Sequence, residues 1–471
     1  MSQRVLLMLA LVLAEIVSAV ESTMIFAALR VFNREFGNPV AVGWTITAFL
    51  LVAAGSAAVC ARLGDMYGRR KLLLWSIALA GLGSVISAMS TGAAGVIAGR
   101  AVQGLAGAVL PLCFGLVRQH LPAPQVQLGV GIVAAAAFVS GGLAIVAGGV
   151  VIDHLHWHWI FVVGAGTALL AWPAVWLWVP RDNVQQTRQA IDWPGALLLL
   201  PALTALLLVP TQAKSWGWVD ARTLALAVAG AALLALWGRH EWRCAAPLID
   251  VRLLGRRQLA LANAAMVLLA LGPMQSGFVL SSLLQQPAAT GIGLGLSATT
   301  AGAVQALPMV LAVFIGPLAG WLAQRSGARA PAMWACAVLL VGWSGVALWQ
   351  GTVPWVGMMA ALCGTGLALA YAAAPMLIVE AAPPDRTSES TGVSSVLRYL
   401  FNAVGSQLVA LMLASSTVSD AALGPGRFPS ATAFELTLLV ISGLAGLALL
   451  AAWALPRPGA KPMRAAQGAM T

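Results

Sequence analysis

Three ionisable side chains lie where hydrocarbon surroundings make charge expensive: Glu15 and Glu21 within an apolar run over 5–28, and Arg100 within another over 94–117. Such a group costs roughly 2.5–3.5 kcal/mol on insertion scales and is a functional candidate by default. A carboxylate facing a guanidinium keeps its charge, whereas one left alone in a dry cavity takes up a proton. Moving between those two environments would let a carboxylate carry protons. Glu15 and Glu21 are six positions apart, about 120° around a helix, so they form no dyad and their roles differ. Glu21 and Arg100 each lie roughly 10 Å below the outer end of their runs, at about 1.5 Å per residue. They can therefore meet, either as a proton-coupling pair or as an ion pair that locks two helices. Glu15, nearer mid-membrane, suits a substrate cavity, a second proton site or a satisfied packing acid.

Around these groups the sequence supplies means of close packing. Gln103 can hydrogen-bond between helices, and Gly99, Gly104 and Gly107 let backbones approach. The run Ser140 to Gly149, with Gly148 and Gly149 at its end, is a second small-residue face. Arg398 sits inside a late apolar run and reads as a cavity or interhelical contact. His154, His156 and His158 alternate in a manner that could suit zinc, but their Trp157 and Trp159 neighbours fit an interfacial aromatic belt better. The five cysteines are scattered without pairing, as packing residues are, so neither disulfide, metal nor cofactor is expected.

One charged turn punctuates these runs, Ala61-Arg62-Leu63-Gly64-Asp65-Met66-Tyr67-Gly68-Arg69-Arg70-Lys71. Gly64 and Gly68 permit a tight reversal, and Asp65 can accept hydrogen bonds from helix N-terminal amides or from an arginine. A second such turn, Gly320 to Arg329, echoes it place by place 259 residues later. Two parallel repeats related by an axis along the membrane normal explain the echo.

The elements that must carry these residues are transmembrane helices. The chain has 471 residues, 60% hydrophobic and 9% charged, against roughly 25% charged in soluble domains. Segments of about 20 apolar residues recur fourteen times between 5–28 and 433–455. An even number puts both termini on one side. With the N-terminus inside, 19 of the 26 cations fall on cytoplasmic segments and five outside, a strong positive-inside bias. That placement also accounts for the net charge of +11 without nucleic acid. The expected fold class is an all-α polytopic membrane protein with two six-helix bundles, 1–180 and 258–471. Between them, 181–257 contributes two further spans (193–211 and 221–238) and an amphipathic segment from Pro247 to Arg257.

Together these features resemble the major facilitator superfamily, and within it the fourteen-span drug/proton antiporters. Leu63, Asp65, Gly68, Arg69 and Arg70 match that family's turn motif, with Ala61 and Met66 departing from its Gly and Arg. Arg100, Gln103 and Gly104 match its Arg-x-x-Gln-Gly, and Glu21-Ser22-Thr23-Met24-Ile25 is similar to its Asp-x-Thr-Ile. Ala144 to Gly149 keeps the Gly-Gly of its span-5 motif and lacks the Gly-Pro, and Gln324 stands where the second turn has an acid. The resemblance implies a monomeric, multi-pass transporter of the bacterial inner membrane, working by alternating access. It would export amphipathic or cationic compounds in exchange for protons, with Glu21 and Arg100 coupling and Asp65, Gly68, Arg69 and Arg70 latching the cytoplasmic side. Trp44 would lie near the outer end of the substrate cavity. The same residues suit an exporter of an endogenous metabolite or an uncoupled transporter; a polytopic enzyme would need a polar cluster that only 153–158 approaches.

Overall fold

A backbone crossing hydrocarbon must satisfy its own N–H and C=O groups, and the α-helix does this within one segment. The computed structural model is accordingly helical through nearly all of the residues it describes, which are 3–181, 192–244, 247, 257–381, 387–418 and 427–456. Some helical positions, Asp65 among them, are described in backbone only. Most of the amphipathic segment expected over 247–257, and the tail after 456, lie outside the described residues.

The first 180 residues form α1 (Gln3–Thr23), α2 (Leu29–Phe36), α3 (Pro39–Tyr67), α4 (Arg69–Ala88), α5 (Ala93–Gln103), α6 (Val109–His120), α7 (Ala123–His154) and α8 (His158–Trp178). Next come α9 (Trp193–Trp216) and α10 (Ala221–Arg243). The remainder holds α11 (Arg257–Leu271), α12 (Ser276–Gln285), α13 (Ala298–Ser326), α14 (Arg329–Leu348), α15 (Val353–Ala381), α16 (Thr387–Leu413) and α17 (Ala431–Trp453). Short 3-10 stretches at Met24–Ala28, Gly104–Ala108 and Pro273–Gln275 join α1 to α2, α5 to α6 and α11 to α12. The seventeen helices thus stack into fourteen rods among the described residues, ten of them long and apolar enough to cross a membrane. The first rod continues to Phe36, past the apolar limit expected at residue 28. Hydropathy fades there while the backbone hydrogen bonding does not. Side-chain caps fix several starts: Asn38 accepts from Val40 N at 3.0 Å, Asp192 from Gly195 N at 2.9 Å and Ser297 from Thr300 N at 3.2 Å.

Helices α1 to α8 pack on one another, as do α11 to α17; one apolar core lies wholly within the first set, and a larger one runs from the second set across to the first. The sets meet chiefly where α7 crosses α13 and α3 crosses α16, while α9 and α10 pair with each other and α9 rests on α3 and α16. The echoing turns hold equivalent places. Gly68 (φ 100°) ends α3 and Gly327 (φ 75°) ends α13, both in the left-handed region that favours glycine. Arg70 donates to the carbonyl of Trp176 at the end of α8, and Arg329, its counterpart in the echo, donates to that of Trp453 at the end of α17. In each repeat an arginine thus satisfies a terminal helix carbonyl, where positive charge is favoured. The face bearing these turns is called the turn face below, and its opposite the far face.

Candidate functional site

Glu21, Ser84, Gln103 and Arg100 close a ring of hydrogen bonds between α1, α4 and α5. Ser84 Oγ donates to Glu21 Oε1 at 2.5 Å, and Gln103 Nε2 donates to Ser84 Oγ at 2.6 Å. Arg100 Nη1 donates to Gln103 Oε1 at 3.0 Å and also to the main-chain carbonyl of Glu21. All four residues are buried, Arg100 to 1% exposure and Glu21 to 4%. The expected meeting of Glu21 and Arg100 occurs through that carbonyl: among the described residues, no hydrogen bond of the guanidinium reaches the carboxylate. Arg100 Nε instead donates to the carbonyl of Thr45 on α3 at 2.9 Å, and its guanidinium lies over the Phe49 ring, 4.4 Å from the centroid. One arginine therefore ties α1 to α3, with the carboxylate of Glu21 held nearby on the Ser84 hydroxyl.

The sequence reading missed Ser84, which uses its only proton on Glu21 while accepting from Gln103. Ser84→Ala should leave two buried polar groups without their partner and cost about 1–3 kcal/mol of stability. A lowered melting temperature of the purified protein checks this; an unchanged one removes Ser84 from the ring.

α3 and the 3-10 stretch that follows α1 are also elements by which the first set grips the second. Thr47, two residues after Thr45, has its Oγ1 2.7 Å from Ser406 Oγ and donates to Gln407 Oε1 at 3.2 Å, both on α16. The carbonyl of Phe26 accepts from Ser281 Oγ and from Gln285 Nε2 (3.2 Å) on α12. Towards the far face, both oxygens of Asp153 at the end of α7 accept from the first amides of α13, Ala298 N at 2.9 Å and Thr299 N at 2.8 Å. That N-cap is supplied by the other set of helices.

The small-residue faces lie at these crossings. A methyl on Gly149 would stand 2.5 Å from the Ala298 carbonyl oxygen of α13, and one on Gly148 would stand 2.7 Å from Met24 Cγ. One on Gly104 would lie 2.6 Å from the Phe49 carbonyl oxygen of α3.

Nearer the turn face, Glu15 is buried on α1, and its Oε2 has no hydrogen-bond partner among the described residues. It is near enough to Tyr399 on α16 to interact with it electrostatically across the two sets. The Arg398 guanidinium stands 4.9 Å from the ring centroids of both Tyr399 and Tyr371. With only three tyrosines in the chain, two beside one intramembrane arginine was a signal that could have been read.

Arg69 Nη1 donates to the carbonyl of Gly115 on α6 at 3.0 Å, a partner in its own set of helices, as is Arg70's Trp176. Gly68 is buried at the reversal, and the side chain of Asp65 lies outside the described residues. Trp44 packs with Val40, Leu207 and Ala414, between α3, α9 and α16. His156 and His158 stack with centroids 4.6 Å apart, and Trp157 is buried against Phe32, Phe36 and Phe161 instead of lying in an exposed belt.

Comparison with known proteins gives the class. The profile of the Major Facilitator Superfamily matches residues 11–406, and again 294–469, so the chain belongs to that superfamily of membrane transporters. It is 28% identical over 411 residues to a Mycobacterium tuberculosis protein described as a multidrug resistance protein B homolog, spanning 85% of this chain and 75% of that one. It is 25% identical over 414 residues to the tetracenomycin C resistance and export protein of Streptomyces glaucescens, spanning 87% and 76%. The fold resembles that of the nucleoside transporter NupG (TM-score 0.66, 11% identity, 95% of this chain and 99% of that one). It also resembles a partially occluded, inward-open xylose transporter XylE from E. coli (TM-score 0.65, 12% identity, 98% and 100%).

Proposed function

We propose that this chain is a fourteen-span drug/proton antiporter that exports amphipathic or cationic organic compounds by alternating access. The observation that carries the reading is the reach of Arg100: it joins Glu21 on α1 to Thr45 on α3, and within a few residues of those contacts Thr47 on α3 and Phe26, in the 3-10 stretch that follows α1, hold the second set of helices. A proton arriving at Glu21 changes what Ser84, Gln103 and Arg100 can donate to, and so biases the contacts that keep the two sets together.

The positive-inside bias makes the turn face cytoplasmic. The contacts of Asp153, Thr47, Gly149 and Phe26 then hold the periplasmic side closed. Glu15, near Tyr399 of the second set, offers a cationic substrate a carboxylate. Resistance and export names among the relatives favour toxic compounds as cargo.

The test is a growth-protection screen against toxic amphipathic cations with and without the protein, followed by efflux measurements with a protonophore. Protection that disappears when the pH gradient is collapsed is expected. Efflux indifferent to that gradient would identify an uncoupled transporter instead.

A further inference from the structure

Away from the proposed transport path, the two inserted helices bring together a donor set that the sequence keeps apart. Asp192 caps α9, and His240 and Cys244 lie one turn apart at the end of α10. His240 Nε2 lies 2.6 Å from Asp192 Oδ1, and the carboxylate oxygen, imidazole nitrogen and thiol sulfur all fall within 4.8 Å of one another. Asp192 is buried to 4% exposure and its neighbour Glu241 completely.

Gly195 shows how tightly the acids converge. A methyl there would stand 2.3 Å from Asp192 Oδ2 and 2.8 Å from Glu241 Oε1, so the two carboxylates approach across a space that only glycine leaves open.

We propose that Asp192, His240 and Cys244 form a zinc site that clasps the start of α9 to the end of α10, with a water completing the tetrahedron. Thiolate, imidazole and carboxylate together suit Zn²⁺, whereas Mg²⁺ and Ca²⁺ take oxygen donors. Bond lengths of about 2.0–2.3 Å in a tetrahedron put ligand atoms roughly 3.3–3.7 Å apart. The three donors therefore need to shift by only about 1 Å or less. On binding, Cys244 loses its thiol proton to solvent. The imidazole carries its proton on Nδ1, so that Nε2 is free to ligate in place of the bond to Asp192.

The site is testable on the purified full-length chain in detergent, free of any histidine tag and stripped of metal. Titration with Zn²⁺ alone should show one equivalent bound. Cys244→Ser and His240→Ala should each weaken binding about tenfold or more. Co²⁺ in place of Zn²⁺ should give a thiolate charge-transfer band in the wild type that persists in Cys60→Ser and vanishes in Cys244→Ser. Because the wild-type Co²⁺ spectrum needs no variant, a poorly folded mutant does not blunt the test. No thiolate band, no saturable binding, or unchanged affinity in both ligand variants would overturn the proposal.

Discussion

Glu21→Gln is expected to yield a folded transporter that no longer moves protons with its substrate. The amide is nearly the same shape as the carboxyl and its oxygen can still accept from Ser84, so the ring through Gln103 and Arg100 survives. The variant lacks a group that can gain and lose a proton at this position. In everted vesicles, efflux driven by a pH gradient should fall about tenfold or more, while exchange of labelled for unlabelled substrate continues, because exchange needs no net proton transfer. Gradient-driven efflux at the wild-type rate in this variant would remove Glu21 from coupling. The same substitution at Glu15 serves as the contrast. On the proposal that Glu15, whose Oε2 has no hydrogen-bond partner among the described residues, meets the substrate, its loss should raise KM for cations before it alters coupling.

The second large effect is conformational. Gly149→Ala places a methyl against the Ala298 carbonyl oxygen and, 2.6 Å away, the Thr299 Cα. These are backbone atoms, and beside them a methyl on Gly302 would stand 2.8 Å from the Ile145 carbonyl oxygen of α7, so the two helices have little room to yield locally. Overpacking of this kind costs about 1–3 kcal/mol, and here it falls on the state in which α7 and α13 are in contact. At 1.4 kcal/mol per factor of ten, the balance between states should move roughly 5- to 150-fold towards the arrangement in which they separate. Spin labels on Glu35 and Thr352, both exposed, would report this as a longer distance in the variant. An unchanged distance distribution would show that the α7–α13 crossing does not govern access.

How much of this was legible in the sequence depends on what each residue does to its surroundings. Apolar runs and the echoing glycine turns announce themselves, and the Arg70 and Arg329 contacts at the ends of α8 and α17 give that echo the same local role in each repeat. Glu21 and Arg100 stand out because charge in an apolar run is costly and must be compensated by a partner or a role. Ser84 does not, because a serine in a helix is ordinarily satisfied by its own backbone, as Ser90 is by Ile86 and Ser442 by Leu438. The 3-10 interruption at Met24–Ala28 leaves hydropathy unchanged and was invisible for that reason. Trp44 was expected near the outer end of a substrate cavity, but a position in the sequence does not say which neighbour a side chain faces; here it faces α9 and α16. Asp192, His240 and Cys244 converge only once α9 and α10 fold back on each other, and a His-x-x-x-Cys spacing at a helix end was the one local sign of them.

The most direct measurement of the central claim is the proton balance of substrate binding. Purified protein in lightly buffered detergent solution, mixed with a lipophilic cation, should release about one proton per substrate bound, and Glu21→Gln should bind the same cation without that release. Equal proton release from both proteins, or none from the wild type, would contradict the account of Glu21 as the group that exchanges a proton for cargo.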